Sequence, residues 1–117
     1  MTSSGRPRQR EIWFAELEPI RGGEQGGRRP VVAISIDELS TGASGLAIVV
    51  PISTVDRGTP IHVRIDPPEG GLREVSFALP EMVRSVSHNR LVERWGTVRE
   101  ETLHAIVQRV VRLTRAP

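Results

Sequence analysis

Val31–Ile36 (VVAISI) and Leu46–Ile52 (LAIVVPI) decide the fold. Each run is almost wholly apolar, the pattern of a β-strand covered on both faces. Pro51 lies near the end of its run, where a missing N–H donor is tolerated. Working outward, Ile12–Leu17 (IWFAEL) is rich in aromatic and branched residues with imperfect alternation. That predicts a strand with one well-buried face, starting at Glu11 and closed by Glu18-Pro19. Asp37, Glu38 and Leu39 suit one helical turn ahead of the Ser40–Gly45 loop. Ile61–Ile65 (IHVRI) alternates strictly, so Ile61, Val63 and Ile65 are expected inward and His62 and Arg64 outward. Val75–Leu79 reads as another strand and Trp95–Val98 as a last short one, with Pro80–Arg94 an irregular polar stretch between them.

The period then changes. Within Arg99–Leu113, the residues Leu103, Ile106, Val107, Val110 and Val111 recur at helical spacing and line one side of an α-helix. Glu100 and Glu101 in its first turn, and Arg109, Arg112 and Arg115 toward its end, complement the helix dipole. One such helix beside five or six short strands predicts a mainly β fold, a small bent barrel with a C-terminal α-helix. Met1–Arg10 (MTSSGRPRQR) offers no face to bury and is expected to be a flexible tail, leaving residues 11–117 as one barrel domain.

Composition removes whole chemistries. A hydrophobic fraction of 38% with eleven glycines in 117 residues is ordinary for a globular chain, so disorder, collagen and coiled coil are poor readings. All sixteen basic residues are arginine, and there is no lysine, tyrosine or cysteine. Schiff bases, a phosphate-loop lysine, thiol nucleophiles, thiolate metal sites and tyrosine nucleophiles are thereby excluded. The pI of 10.8 overstates the charge, because sixteen basic against fourteen acidic residues leave +2, and little titrates between histidine and arginine. Attraction to a polyanion must therefore come from a local arginine cluster. No signal-peptide pattern and no run of ~18 apolar residues is present. With no cysteine to suggest export, a cytoplasmic protein with no membrane association is expected.

Two places could carry chemistry. Residues 18–30 (EPIRGGEQGGRRP) hold four glycines between two prolines and are expected to form a mobile loop. The glycine spacing imitates a phosphate-binding loop, but Arg28-Arg29 stands where Lys-Ser/Thr is required, and the loop precedes a strand, not a helix. Arg28 and Arg29 could grip phosphate bidentately or simply cap carbonyls in a solvated hairpin. Ser53-Thr54, leaving the second apolar run, could hydrogen-bond a phosphate from a rigid element or cap a turn. His62, His88 and His104 show no metal-ligand spacing with a carboxylate, so neither metal nor cofactor is expected.

Together these blocks resemble the MazF/PemK toxin family. The likeness is carried by Glu11-Ile12-Trp13-Phe14-Ala15-Glu16-Leu17-Glu18-Pro19 and by Arg21-Gly22-Gly23-Glu24-Gln25-Gly26-Gly27-Arg28-Arg29-Pro30-Val31-Val32. It continues through Val49-Val50-Pro51-Ile52-Ser53-Thr54, Val83-Arg84-Ser85-Val86, Arg90-Leu91, Gly96 and the closing helix. The resemblance implies a small SH3-like (MazF/CcdB/PemK-type) barrel of five to seven strands with a C-terminal helix, working as a homodimer. It implies the toxin of a type II toxin–antitoxin system, held off by a cognate antitoxin protein whose largely extended tail covers the RNA groove. It also implies sequence-specific, metal-independent cleavage of single-stranded RNA through attack by the substrate's 2'-OH, leaving a 2',3'-cyclic phosphate and a 5'-OH. Arg29 and Ser53 match the family's catalytic positions.

The physical account adds roles around them. Arg29 would clamp the scissile phosphate and Ser53 would fix its in-line geometry. An arginine is a poor general base, so Glu24 is the candidate for an accessory role. Gln25 could read base edges, and Arg28, Arg57 and Arg84, with Thr54, would hold the strand. Trp13 and Trp95 are expected in the core. The chain departs from the family at Met82, where a glutamine is common, at Val75, where an aspartate is, and at Arg99, which replaces a serine cap and should weaken the last helix by ~1 kcal/mol. The alternative reading is a non-catalytic CcdB-like toxin acting on a protein such as gyrase. A plain single-strand-binding barrel is disfavoured by the few aromatic residues.

Overall fold

The two apolar runs become the centre of the sheet. In the computed structural model, which describes residues 6–17 and 27–116, β2 (Gly27–Ala33) pairs with one edge of β3 (Leu46–Ser53) in the register Val31–Pro51, Val32–Val50, Ala33–Val49. The other edge of β3 takes β6 (Arg84–Ser87) along Leu46 to Val49, then β5 (Ser76–Ala78) at Ile52 and Ser53. β1 (Glu11–Leu17) pairs with β2 and with β7 (Leu91–Thr97), and β4 (Val63–Ile65) with β5. All pairs are antiparallel, and the order is β4-β5-β3-β2-β1-β7 with β6 beside β3. A short helix, α1 (Asp37–Ser40), follows β2, and α2 (Glu100–Thr114) closes the chain.

Because side chains alternate along a strand, β1 to β3 feed two cores. Ile12, Val32, Val50 and Ile52 face Val63, Ile65, Leu72, Val98 and Ile106 of α2. Trp13, Ala15, Leu17, Val31, Ala47 and Val49 face Val86 and Leu91. Cover on both faces is the reason Val31–Ala33 and Ala47–Ile52 carry no polar side chain, whereas Ile34–Ile36 lie past the end of β2 and Ile36 is exposed.

Four expectations are corrected. β2 begins at Gly27, so Gly27–Pro30 are strand paired to β1, not loop. Pro80–Arg94 is not irregular, since it holds β6 and the first half of β7; Val92–Trp95 are all exposed, which erases the alternation that would have marked a strand. His62 is buried instead of outward. Ile61 and His62 lie ahead of β4, in a turn closed by the His62 N–H on the Thr59 carbonyl (3.3 Å), and His62 Nε2 sits 2.7 Å from Glu81 Oε2. Of the tail, residues 7–10 are tied to the body. Pro7 is fully buried, and Arg10 (φ 82°) donates from its N–H to the Ala33 carbonyl and from Nε to Val98.

The weak start expected for α2 is repaired from elsewhere in the chain. Glu69 Oε2 accepts both the Arg99 N–H (2.9 Å) and the Thr102 hydroxyl (2.5 Å), supplying the cap that Arg99 cannot. Glu69 belongs to a 3-10 turn, Glu69–Gly71, that lies directly on β7. The approach is backbone to backbone: a Cβ on Gly96 would stand 2.6 Å from the Gly70 carbonyl carbon, and Gly71 itself has φ of 78°. Glu69→Ala should therefore lower stability by about 1–2 kcal/mol, and Gly96→Ala by about 3 kcal/mol, because neither backbone can give way. Urea unfolding measures both, and an unchanged midpoint for Gly96→Ala would contradict this packing.

Candidate active site

Arg29 and Ser53 are brought together by strand register. Carried two residues past Val31–Pro51, the β2–β3 register sets Arg29 opposite Ser53. The Arg29 Nη1 donates to the neighbouring Ile52 carbonyl at 3.4 Å. Opposite residues in a sheet point to the same face, so a row runs Ala15, Arg29, Ser53, Phe77, Arg64 across β1, β2, β3, β5 and β4. Arg29 is half-buried, and the loss of solvent around it pushes its pKa down from the usual arginine range. Ser53 Oγ accepts the Val55 N–H at 3.1 Å, which turns the chain after β3 and leaves the hydroxyl proton to donate outward.

The remaining residues expected at the site divide by face. Arg84 lies opposite Val49 on β6, on the face of Arg29 and Ser53, four residues back along β3 from Ser53 and so about 13 Å away. Arg57 is exposed in the segment after β3. Arg28 stands on the opposite face from Arg29, ion-paired to Glu16 at 2.6 Å. Glu24 and Gln25 lie outside the described residues. Arg64, expected only to face outward, is a member of the row. It is exposed and bound through Nε to Asp66 Oδ1 at 2.8 Å, and that carboxylate raises its pKa. The sequence shows that Arg64 points away from the β4 core, but not that β4 and β5 carry it into line with Ser53.

Thr54, one residue beyond Ser53, faces the other way and lines a cavity of about 580 Å³ with Pro30, Leu72, Arg73, Glu74 and Trp95. Trp95 is not core as expected. Its ring stacks on Phe14 (5.3 Å between centroids, 8° between planes) and is 36% exposed, whereas Trp13 is 3% exposed.

Comparison with known proteins identifies the family. Residues 8–114 match the family described as the PemK-like, MazF-like toxin of type II toxin–antitoxin systems, and the chain belongs to it. It is 33% identical over 98 residues to the endoribonuclease EndoA of Bacillus subtilis, covering 82% of this chain and 84% of that one. It is likewise 33% identical over 96 residues to the endoribonuclease MazF9 of Mycobacterium tuberculosis, covering 78% and 81%. The MazF crystal structure from Deinococcus radiodurans superposes with a TM-score of 0.80 at 26% identity, covering 92% of this chain and 94% of that one. A MazE–MazF structure from the same organism superposes at 0.74, also at 26% identity, covering 92% and 95%. Among the described residues, no helix is long and apolar enough to cross a membrane.

The two tryptophans offer a direct check on the stacked pair. Acrylamide should quench a large part of the wild-type fluorescence and little of that in Trp95→Phe, where only buried Trp13 remains. Equal quenching in both proteins would contradict the exposure of Trp95.

Proposed function

We propose that this chain is the toxin of a type II toxin–antitoxin pair and a sequence-specific, metal-independent endoribonuclease on single-stranded RNA, acting in the cytoplasm as a homodimer. The observation that carries this reading is the placement of Arg29 beside the end of β3, with its guanidinium on the Ile52 carbonyl and the β2–β3 register carrying it opposite Ser53, in a chain of this family. Both named relatives, from B. subtilis and M. tuberculosis, are endoribonucleases, and the MazE–MazF structure supports a cognate antitoxin as partner.

The reaction asks little of the enzyme. The substrate's 2'-oxygen attacks phosphorus and gives up its proton, the bond from phosphorus to the 5'-oxygen breaks, and the leaving oxygen takes up a proton. The products are a 2',3'-cyclic phosphate and a 5'-OH. Charge on the five-coordinate phosphorus is then the dominant problem, and a guanidinium held in a partly dry setting is suited to it. Arg29 binds two non-bridging oxygens bidentately, and its half-burial means less hydration to strip before they arrive. Ser53, its oxygen fixed by the Val55 N–H, donates to a phosphate oxygen and holds the in-line geometry. Glu24 serves as the accessory proton acceptor and Gln25 reads a base edge. Arg84 and Arg57, with Thr54, hold the strand on either side of the cut, while Arg28, committed to Glu16 on the other face, contributes at longer range.

Incubating the purified chain with a long RNA in EDTA and mapping the ends tests the reading. Cuts with 5'-OH ends at one recurring short sequence are expected, with Arg29→Ala slower by about 10²–10³-fold and Ser53→Ala by about 10-fold or more, the loss of one neutral hydrogen bond. An RNA left intact by folded, antitoxin-free wild type overturns the proposal. Light scattering should give twice the chain mass at micromolar concentration.

A further inference from the structure

Thr54 aside, the residues lining the cavity beside Trp95 take no part in the reaction proposed above, yet the cavity opens next to it. Ser53, the last residue of β3, lies opposite Arg29, and Thr54, next in the chain, lines the cavity. Whatever strand lays a phosphate on Ser53 therefore has a concave aromatic-floored site on the far side of the same rim, within reach of one nucleotide turned out of the stack. We propose that this cavity is a nucleobase subsite and that it selects guanine. The inference rests on the reading of the chain as a single-stranded RNA nuclease.

Three features argue for a base, and for that one. The floor is rigid: Trp95 is stacked on Phe14, and its indole N–H is held by Glu93 Oε1 at 3.3 Å, so the outer ring face is presented in a fixed orientation. Base-on-aromatic stacking is the usual way a protein takes an unpaired base out of a strand. Next, the walls carry charge of both signs in unpaired form. Arg73 and Glu74 are adjacent and exposed and line the same cavity, but neither side chain has an ion-pair or hydrogen-bond partner among the described residues. Finally, only guanine answers both charges along neighbouring edges. Its O6 and N7 accept a guanidinium fork, while its N1–H and N2–H donate in parallel to a carboxylate. Adenine and cytosine offer one amino group without that paired donor edge, and uracil offers a single imide N–H.

Binding of hexaribonucleotides with 2'-O-methyl groups, which removes the attacking hydroxyl, separates this proposal from cleavage. An all-uracil hexamer is compared with hexamers carrying a single guanine, adenine or cytosine at the third position, with quenching of tryptophan fluorescence as the signal. The guanine hexamer should bind about tenfold tighter than the other three, and its quenching should disappear in Trp95→Phe. Glu74→Gln should reduce the preference to within about twofold while the all-uracil affinity changes little, because removing the carboxylate removes only the paired acceptor. Equal affinity for all four hexamers, or an undiminished guanine preference in Glu74→Gln, overturns the subsite even where RNA is cut. So does an unbound protein whose Trp95 is already shielded from acrylamide, because the face is then covered by a second copy. If a long RNA is not cut at all, it is the nuclease reading that fails, and the hexamer titration still reports on the cavity.

Discussion

The architecture depends on β3 satisfying two edges at once. Val49 is paired with Ala33 on one side and Arg84 on the other, and within eight residues the strand serves β2, β6 and β5. A strand so committed cannot slip: moving the register by one residue would send Val50 and Ile52 into the core of Val49 and Ala47, and the reverse. Both faces would lose their apolar contacts together. That rigidity is what gives the exit of β3 its value, because Ser53 and Thr54 are delivered to fixed positions by a strand whose other residues have no freedom to adjust.

How much of this was legible follows from where the information sits. Val31–Ala33 and Ala47–Ile52 announce doubly covered strands because burial on both faces acts on each residue separately, and the helical spacing of Leu103, Ile106 and Val110 does the same for α2, while Val111 is exposed. β7 was hidden for the opposite reason. It is held by its pairing to β1 and by the turn lying over Gly96, with Leu91 its only buried side chain, so nothing in its own sequence alternates. The cap of α2 was hidden too, since its carboxylate comes from Glu69, thirty residues before Arg99.

The candidate site can be read from the sequence in residue type but not in direction. Arg28 and Arg29 look equivalent in a glycine-rich stretch read as loop. Once β2 begins at Gly27, alternation separates them: Arg28 goes to Glu16 and Arg29 to the row with Ser53. The same step misread His62, where a turn ahead of β4 shifted the pattern and brought the ring in against Glu81. Large aromatic residues are usually buried, which is why Trp95 reads as core in the sequence. Only the pairing of β7 with β1 shows that its partner is Phe14, at the surface.

Alternation at the rim of β3 also bears on how a small barrel could distinguish sequences. Hydrogen bonds to phosphate fix position and carry no sequence information, so the Arg29–Ser53 face by itself would treat all RNA alike. Discrimination requires a second surface that meets a base while the first holds its backbone, and the two must be in fixed relation or the readout blurs. A strand end meets that requirement with the least structure, because residues i and i+1 address opposite faces at a separation set by the peptide bond. Ser53 and Thr54 are such a pair, as are Arg29 and Pro30, which enter the same two surfaces from β2. Four residues at the ends of two adjacent strands thus tie the face proposed to hold phosphate to the cavity beside Trp95. All four lie just beyond the paired residues Val31 and Pro51, so the end of the β2–β3 ladder holds them in fixed relation.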